Sequence, residues 1–251
     1  MKIRICHLYP DTLNLYGDRG NVLCMMKRLQ WRGIECETEA LEIGEEKDLS
    51  GFDILFMGGG QDFEQEVLLK DLNGRNGREI TKAIKAGKTF LCICGGYQVL
   101  GTHYVTKEGQ RCDFLGAVDF YTVGGKKRLI DNYAFRLADS SEIVVGFENH
   151  SGRTYLGKDV SPLGTVLSGN GNNGKDGTEG VHYKNVFGTY SHGPVLPKNP
   201  GFCDLILRTA LTHKYGDAGE NLPKLEDCFE NRAHDTVLKK VLRRPGCEMR
   251  T

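Results

Sequence analysis

Two short apolar runs, each closing on glycine, constrain the fold of this 251-residue chain more than any other feature. They are "DILFMGGG" (53–60) and "KTFLCICGG" (88–96). A run of this length with no polar alternation fits a strand buried on both faces, the habit of central strands in parallel sheets. Parallel neighbours need a long crossover, and 61–87 supplies one, with two amphipathic helical pieces expected around "NGRNG". Upstream, "KIRICHLY" reads as a first strand and "PDTLNLYGDRGN" as a loop. In "NVLCMMKRLQWRG" the residues Val22, Met25, Met26 and Leu29 recur at helical spacing, and Gly33 stops the helix. The predicted class is α/β: a doubly wound, mainly parallel sheet flanked by helices.

Beyond Leu100 the pieces shorten to "FLGAVDFYTV", "EIVVGFENH", "GTVLSG" and "NVFGTYSH", with Gly/Asn-rich connections, so this half is expected to be richer in strand and hairpin. "GFCDLILRTALTHKYG" reads as a closing helix. The domain is expected over 1–215, and 216–251 reads as a charged extension and candidate partner-docking helix. Lysine plus arginine equals aspartate plus glutamate, 33 each, which argues against a nucleic acid or an anionic membrane as partner. "MKIRICHLYPD" lacks a secretory pattern, and no run approaches the roughly 18 apolar residues of a transmembrane segment; a cytoplasmic location is expected. Nine scattered cysteines, an odd number, are expected to be reduced thiols.

Cys92 and Cys94 stand one residue apart, which suits neither the C-x2-C spacing of structural zinc nor a C-x-x-C redox pair, so no metal is expected. Cys92 reads as core packing. Cys94 occupies the last strand position before Gly95-Gly96 and the helix-compatible "YQVLG". A strand, a sharp turn and a helix raise a side chain above the carboxyl edge of the sheet, where a helix N-terminus favours a thiolate. The Gly95 N–H then faces a developing oxyanion, and "MGGGQD" offers a second donor in Gly59 or Gly60. A thiol also needs a base. His192 ends the apolar strand "VFGTYSH" and precedes Gly193-Pro194, on the same edge as Cys94. His150 in "FENHSGRT" follows a strand as a pocket or turn residue, and His182 has a weaker claim at a strand start.

With these pieces in place the chain resembles the class I, triad-type glutamine amidotransferases, in the subgroup related to the glutaminase domains of cobyric acid synthases. "CICGGYQVLG" resembles the nucleophile turn, "FENHSGRT" the central pocket segment and "FGTYSHG" the histidine strand. "YPDTLNLYGDRGN" narrows the resemblance to the glutaminase subunits of enzymes that amidate the peptidoglycan stem peptide. The resemblance implies that Cys94 attacks L-glutamine, that His192 carries the proton, and that ammonia passes to a Mur-ligase-like (MurT-type) synthetase subunit in a heterodimer. That partner would bind ATP and Mg and handle lipid II; no cofactor is expected in this chain.

One departure matters: Pro194 stands where most of these enzymes carry a glutamate two residues after the histidine. A dyad, or a carboxylate from the synthetase subunit, would then have to serve. For the glutamine α-carboxylate, Arg128 in "VGGKKRLID" is the candidate, with Gly125 letting that loop approach closely; a solvated basic turn is the plainer reading. Asp18 reads either as a helix cap or loop brace or as a substrate contact. The alternatives are a glutaminase serving another synthetase, such as one of corrinoid amidation, a γ-glutamyl hydrolase, and a non-catalytic scaffold subunit.

Overall fold

The computed structural model describes residues 1–60 and 68–243. The strands are β1 (Lys2–Leu8), β2 (Glu35–Leu41), β3 (Ile54–Met57), β4 (Thr89–Ile93), β5 (His103–Val105), β6 (Arg111–Asp113), β7 (Phe120–Leu137), β8 (Ile143–Leu156), β9 (Gly164–Ser168), β10 (Thr178–Glu179), β11 (Val181–Tyr183) and β12 (Val186–Thr189). The helices are α1 (Arg19–Gln30), α2 (Arg75–Lys85), α3 (Gly95–Gln98), α4 (Pro200–Tyr215), α5 (Asp217–Glu220) and α6 (Cys228–Leu242). The second helical piece expected between residues 61 and 87 is α2. The first falls partly outside the described residues, and the end of the tail beyond Arg243 lies wholly outside them.

The first sheet has the order β11-β12-β4-β3-β1-β2 and is parallel except for β11. Every residue of β3, β4 and β12 is buried, which is why these strands read as unbroken apolar runs. Full burial of side chains such as Leu55, Phe56 and Phe90 contributes roughly 1.5–3 kcal/mol each. The register pairs Leu8 with Met57, Met57 with Cys92, and Ile93 with Thr189. Four strands therefore end at one level, and the segments that follow them meet above the carboxyl edge.

The outermost strand, β2, carries no apolar pattern because it is an edge exposed along nearly its whole length. Glu35, Glu37 and Glu39 on it pair with Lys2, Arg4 and Lys47. These exposed pairs add little stability, but the charge discourages further strands from docking.

The second sheet has the order β10-β9-β7-β5-β6, with β8 paired to β7. Two expectations are corrected here. "VGGKKRLID" is not a loop but part of β7, which slips register against β8 between Gly124 and Leu129. Nor does His150 follow a strand: β8 runs through it to Leu156. The charged tail also packs inward. Val241 of α6 is buried against Ala134 and Val145, with Ile143, Val237 and Leu238 around it.

Candidate active site

Cys94 follows β4 at φ 48° and ψ −107°, a conformation that is unfavourable for any side-chain-bearing residue. The bend is held on both sides: Cys94 N–H donates to Thr189 O at 2.8 Å, and Cys94 O accepts from Gln98 N–H at 2.9 Å. Gly96 has to be glycine, because a Cβ there would lie 2.6 Å from Gly58 O and 2.7 Å from Met57 Cγ. Gly95 opens α3, so its N–H has no acceptor within the helix and is available to an oxyanion. Since α3 has only four residues its dipole is small, and most of the support for a thiolate must come from elsewhere.

That support is His192, fully buried at the end of the segment following β12. Its N–H donates to Phe147 O at 2.8 Å, fastening the histidine to β8. Burial acts to lower the imidazole pKa, but the charge of Cys94, reinforced by Asp18, pushes it up to about 10. The ring therefore carries its proton at neutral pH. Neither ring nitrogen makes an aligned hydrogen bond, and catalytic hydrogen bonds are often long or poorly aligned until the reacting complex forms.

Asp18 is the residue whose position the sequence did not disclose. It is fully buried, and its Oδ2 lies 3.3 Å from His192 Nδ1 and accepts the Gly59 N–H at 2.8 Å. Although it stands at the N-cap position of α1, its side chain makes no capping hydrogen bond. Three sequence features become intelligible together. A Cβ on Gly59 would overlap His192 Cε1, so glycine there seats the imidazole, and its N–H is committed to Asp18 rather than free for an oxyanion. Gly60 is left as the other candidate from "MGGG". Pro194, in the place of the expected glutamate, packs against Gly20, where a Cβ would come within 2.5 Å of Pro194 Cγ. The proline thus seats α1, the helix that begins just after Asp18, against the histidine turn.

Arg128 and Gly125 line a cavity of about 380 Å³ with Tyr104, Lys107 and Ser151, a cavity whose lining includes neither Cys94 nor His192. Arg128 reaches the centre through intermediaries. Its Nε and an Nη donate to Asn149 Oδ1 (2.7 Å) and Asn149 O (2.9 Å), and Asn149 Nδ2 donates to Tyr16 OH at 2.5 Å. The Tyr16 ring in turn stands edge-on to His192, with centroids 5.0 Å apart. The close approach at Gly125 is to Ser151 O and the Arg153 guanidinium, each 3.0 Å from a Cβ placed there.

A buried polar layer lies beneath. Gln98 Nε2 donates to Tyr190 OH, which also bonds Thr154 Oγ1, and His150 stacks on Tyr190 at 3.6 Å. His150 Nδ1 donates to Gly152 O, and burial lowers its pKa, so the ring is neutral. Glu148 accepts two N–H groups from Asn170 and one from Gly171. Glu179, beneath Tyr190, is pushed up to about 7 by burial despite hydrogen bonds from Thr189, Tyr190 and Tyr133. Cys92 is fully buried, and burial alone raises its pKa. His182 lies apart, 3.7 Å from Asp139. Among the described residues no group of histidine, cysteine and carboxylate side chains is arranged to hold a metal, and no helix is long and apolar enough to cross a membrane.

A cysteine at a forced bend, an imidazole beside it and a carboxylate behind, all on the carboxyl edge of this parallel sheet, define the architecture of a class I glutamine amidotransferase. Two solved structures share the fold: PurLQS from Thermotoga maritima (TM-score 0.55, 18% identity, covering 95% of this chain and 100% of that one) and a glutamine amidotransferase from the same organism (TM-score 0.54, 15% identity, 96% and 99%). Residues 4–200 match the CobB/CobQ-like glutamine amidotransferase domain, and the chain belongs to that family. It is 41% identical to the lipid II isoglutaminyl synthase (glutamine-hydrolyzing) subunit GatD of Streptococcus pneumoniae, over 90% of this chain and 86% of that protein. Identity to the subunit of the same name from Staphylococcus aureus is also 41%, over 85% and 86%. Cobyric acid synthase of Chlorobium phaeobacteroides is 32% identical over 59% of this chain and only 31% of its own length.

Proposed function

We propose that this chain is the glutaminase subunit of a lipid II isoglutaminyl synthase. The Cys94 thiolate attacks the side-chain carbonyl carbon of L-glutamine, and the resulting oxyanion is met by the N–H groups of Gly95 and Gly60. His192 gives its proton to the leaving nitrogen, and ammonia departs. The imidazole then takes a proton from water as that water attacks the γ-glutamyl thioester; glutamate leaves, and the thiolate–imidazolium pair is restored. Asp18 holds the imidazole by its Nδ1 side within this chain, the part the absent glutamate at position 194 would otherwise play. Arg128 binds the glutamine α-carboxylate from the cavity that it and Gly125 line.

Ammonia passes to a Mur-ligase-like, MurT-type partner in a heterodimer. That partner binds ATP and Mg, activates the D-glutamate α-carboxyl of the lipid II stem peptide and converts it to the amide. What carries the reading is the meeting of Cys94, His192 and Asp18 at one point, joined to 41% identity along 90% of the chain with the pneumococcal subunit. Corrinoid amidation is weaker, since the likeness to cobyric acid synthases stops at about a third of their length. The test supplies glutamine labelled with nitrogen-15 at the amide, the partner, ATP and lipid II. The label is expected in D-isoglutamine of the stem peptide. Release of labelled ammonia with no amide on lipid II, under conditions where the partner binds ATP, would refute the assignment of the acceptor.

A further inference from the structure

The segment from Asn221 to Leu242, within the charged extension read as a candidate docking helix, grips both halves of the candidate site. On one side it holds α1. Arg28, 2% exposed, forms a two-pronged pair with Asp204 (2.8 Å for both bonds) and a second with Asp227 (2.6 and 3.0 Å). Arg32 adds a bond to Asp204 and another to Pro223 O, both at 2.6 Å. The strand of chain leading into α6 is thereby fixed along the helix that starts at Asp18.

On the other side it holds the turn after His192. His234 Nδ1 faces Lys198 O and Asn199 Oδ1, each at 3.1 Å; both are acceptors, so Nδ1 carries a hydrogen and donates. Asn199 is fully buried. Its Oδ1 also accepts Val145 N–H at 2.8 Å, and its Nδ2 donates to Val145 O and Val195 O. Val145 lies on β8, two residues before the Phe147 carbonyl that anchors His192. Lys198 closes the same turn, its Nζ donating to Gly193 O and Pro194 O. The two sides meet where Pro194 packs on Gly20 and where Asn21 Oδ1 accepts Leu196 N–H at 2.9 Å.

We infer that this segment is an internal strap whose Asp227 and His234 are positioning residues: together they set the spacing between the Asp18 helix and the His192 turn, and so the placing of the imidazole against Cys94. The inference rests on the reading of Cys94 and His192 as the reacting pair. Only 3.3 Å separates Asp18 from His192, and a displacement of about 1 Å in such a constellation typically costs around a hundredfold in rate. A shift smaller than that would cost correspondingly less.

The experiment compares His234→Leu, which removes the donor, with His234→Asn, which returns an N–H near the Nδ1 position, and with Asp227→Asn at the other end of the strap. Glutaminase kcat and KM are measured in the complex with the synthetase partner, together with the pH dependence of Cys94 alkylation by iodoacetamide, followed by peptide mass spectrometry. For His234→Leu and Asp227→Asn we expect kcat to fall about tenfold with KM within about twofold, and the acid limb of Cys94 alkylation to move to higher pH. His234→Asn should keep both close to the parent. The two variants lie at opposite ends, so failure of one to fold leaves the other to decide. A lowered melting temperature with parental kcat and a parental alkylation profile overturns the inference and leaves the strap a stabilising element only. If Cys94 of the parent reacts no faster at neutral pH than exposed Cys228, the reading of the site falls, and the strap's catalytic role with it.

Discussion

Replacing Asp18 by asparagine isolates one charge. Asparagine can still accept the Gly59 N–H, so the backbone contact persists while the carboxylate behind the imidazole disappears. At 3.3 Å, with the effective dielectric of about 20 that suits protein sites, two unit charges interact by about 5 kcal/mol. The Gly59 N–H already spends part of the carboxylate's charge, and Cys94 supplies a second anion to the same ring, so roughly 2–3 kcal/mol remains to be lost. This predicts a fall in kcat of roughly 30- to 150-fold with little change in KM. A pH signature accompanies it. His192 is raised in the folded state to about 10, so its contribution to stability is complete below about 6.5 and is lost as pH rises through about 10. Without Asp18 the folded value falls, so the alkaline loss of stability, which still begins near 6.5, ends at lower pH and is smaller in total. Glutamate release followed by a coupled dehydrogenase, with melting curves from pH 6 to 10, reads both quantities. Activity within twofold of the parent and an unmoved alkaline limb would refute Asp18 as the group that holds the imidazole.

Other outcomes follow from the same geometry. Gly59→Ala drives a methyl group into His192 Cε1 and should depress kcat at least as far as Asp18→Asn, because the ring itself must move; parental kcat would show that the ring has room. Glu179 holds its proton up to about 7 when folded against 4.5 ordinarily, so stability should decline as pH rises from about 4.5 to about 7, and Glu179→Gln should flatten that decline in denaturant titrations. Arg28→Leu leaves Asp204 and Asp227 facing each other, sharing only what Arg32 supplies, and should cost about 3–5 kcal/mol, read as a lowered denaturation midpoint at unchanged m-value.

The centre of the fold was legible because β3, β4 and β12 are buried on both faces and therefore apolar without interruption, and because glycines mark their ends. Cys94 and His192 could be found for the same reason: Cys94 directly follows β4, and His192 closes the short segment after β12. β2 escaped notice because an edge strand paired through glutamates carries no hydrophobic period. "GGKKR" reads as a turn, since the exposed, register-slipped stretch of β7 buries nothing that would write alternation into it. Asp18 read only as a cap, a brace or a substrate contact, because its meeting with His192 depends on β1 and β12 ending level with β3 and β4 between them, a fact of sheet order that no local pattern encodes. In the tail, Asp227 and His234 use polar groups to bind this chain's own helix and turn, contacts that no hydrophobic period announces.

The most direct test of the central claim is to treat the complex with a glutamine-mimicking diazoketone and map the adduct by peptide mass spectrometry. The account predicts a single adduct on Cys94, absent in Cys94→Ala and formed far more slowly in His192→Ala. An adduct on another cysteine, or none at all with the synthetase partner and ATP present, would contradict it.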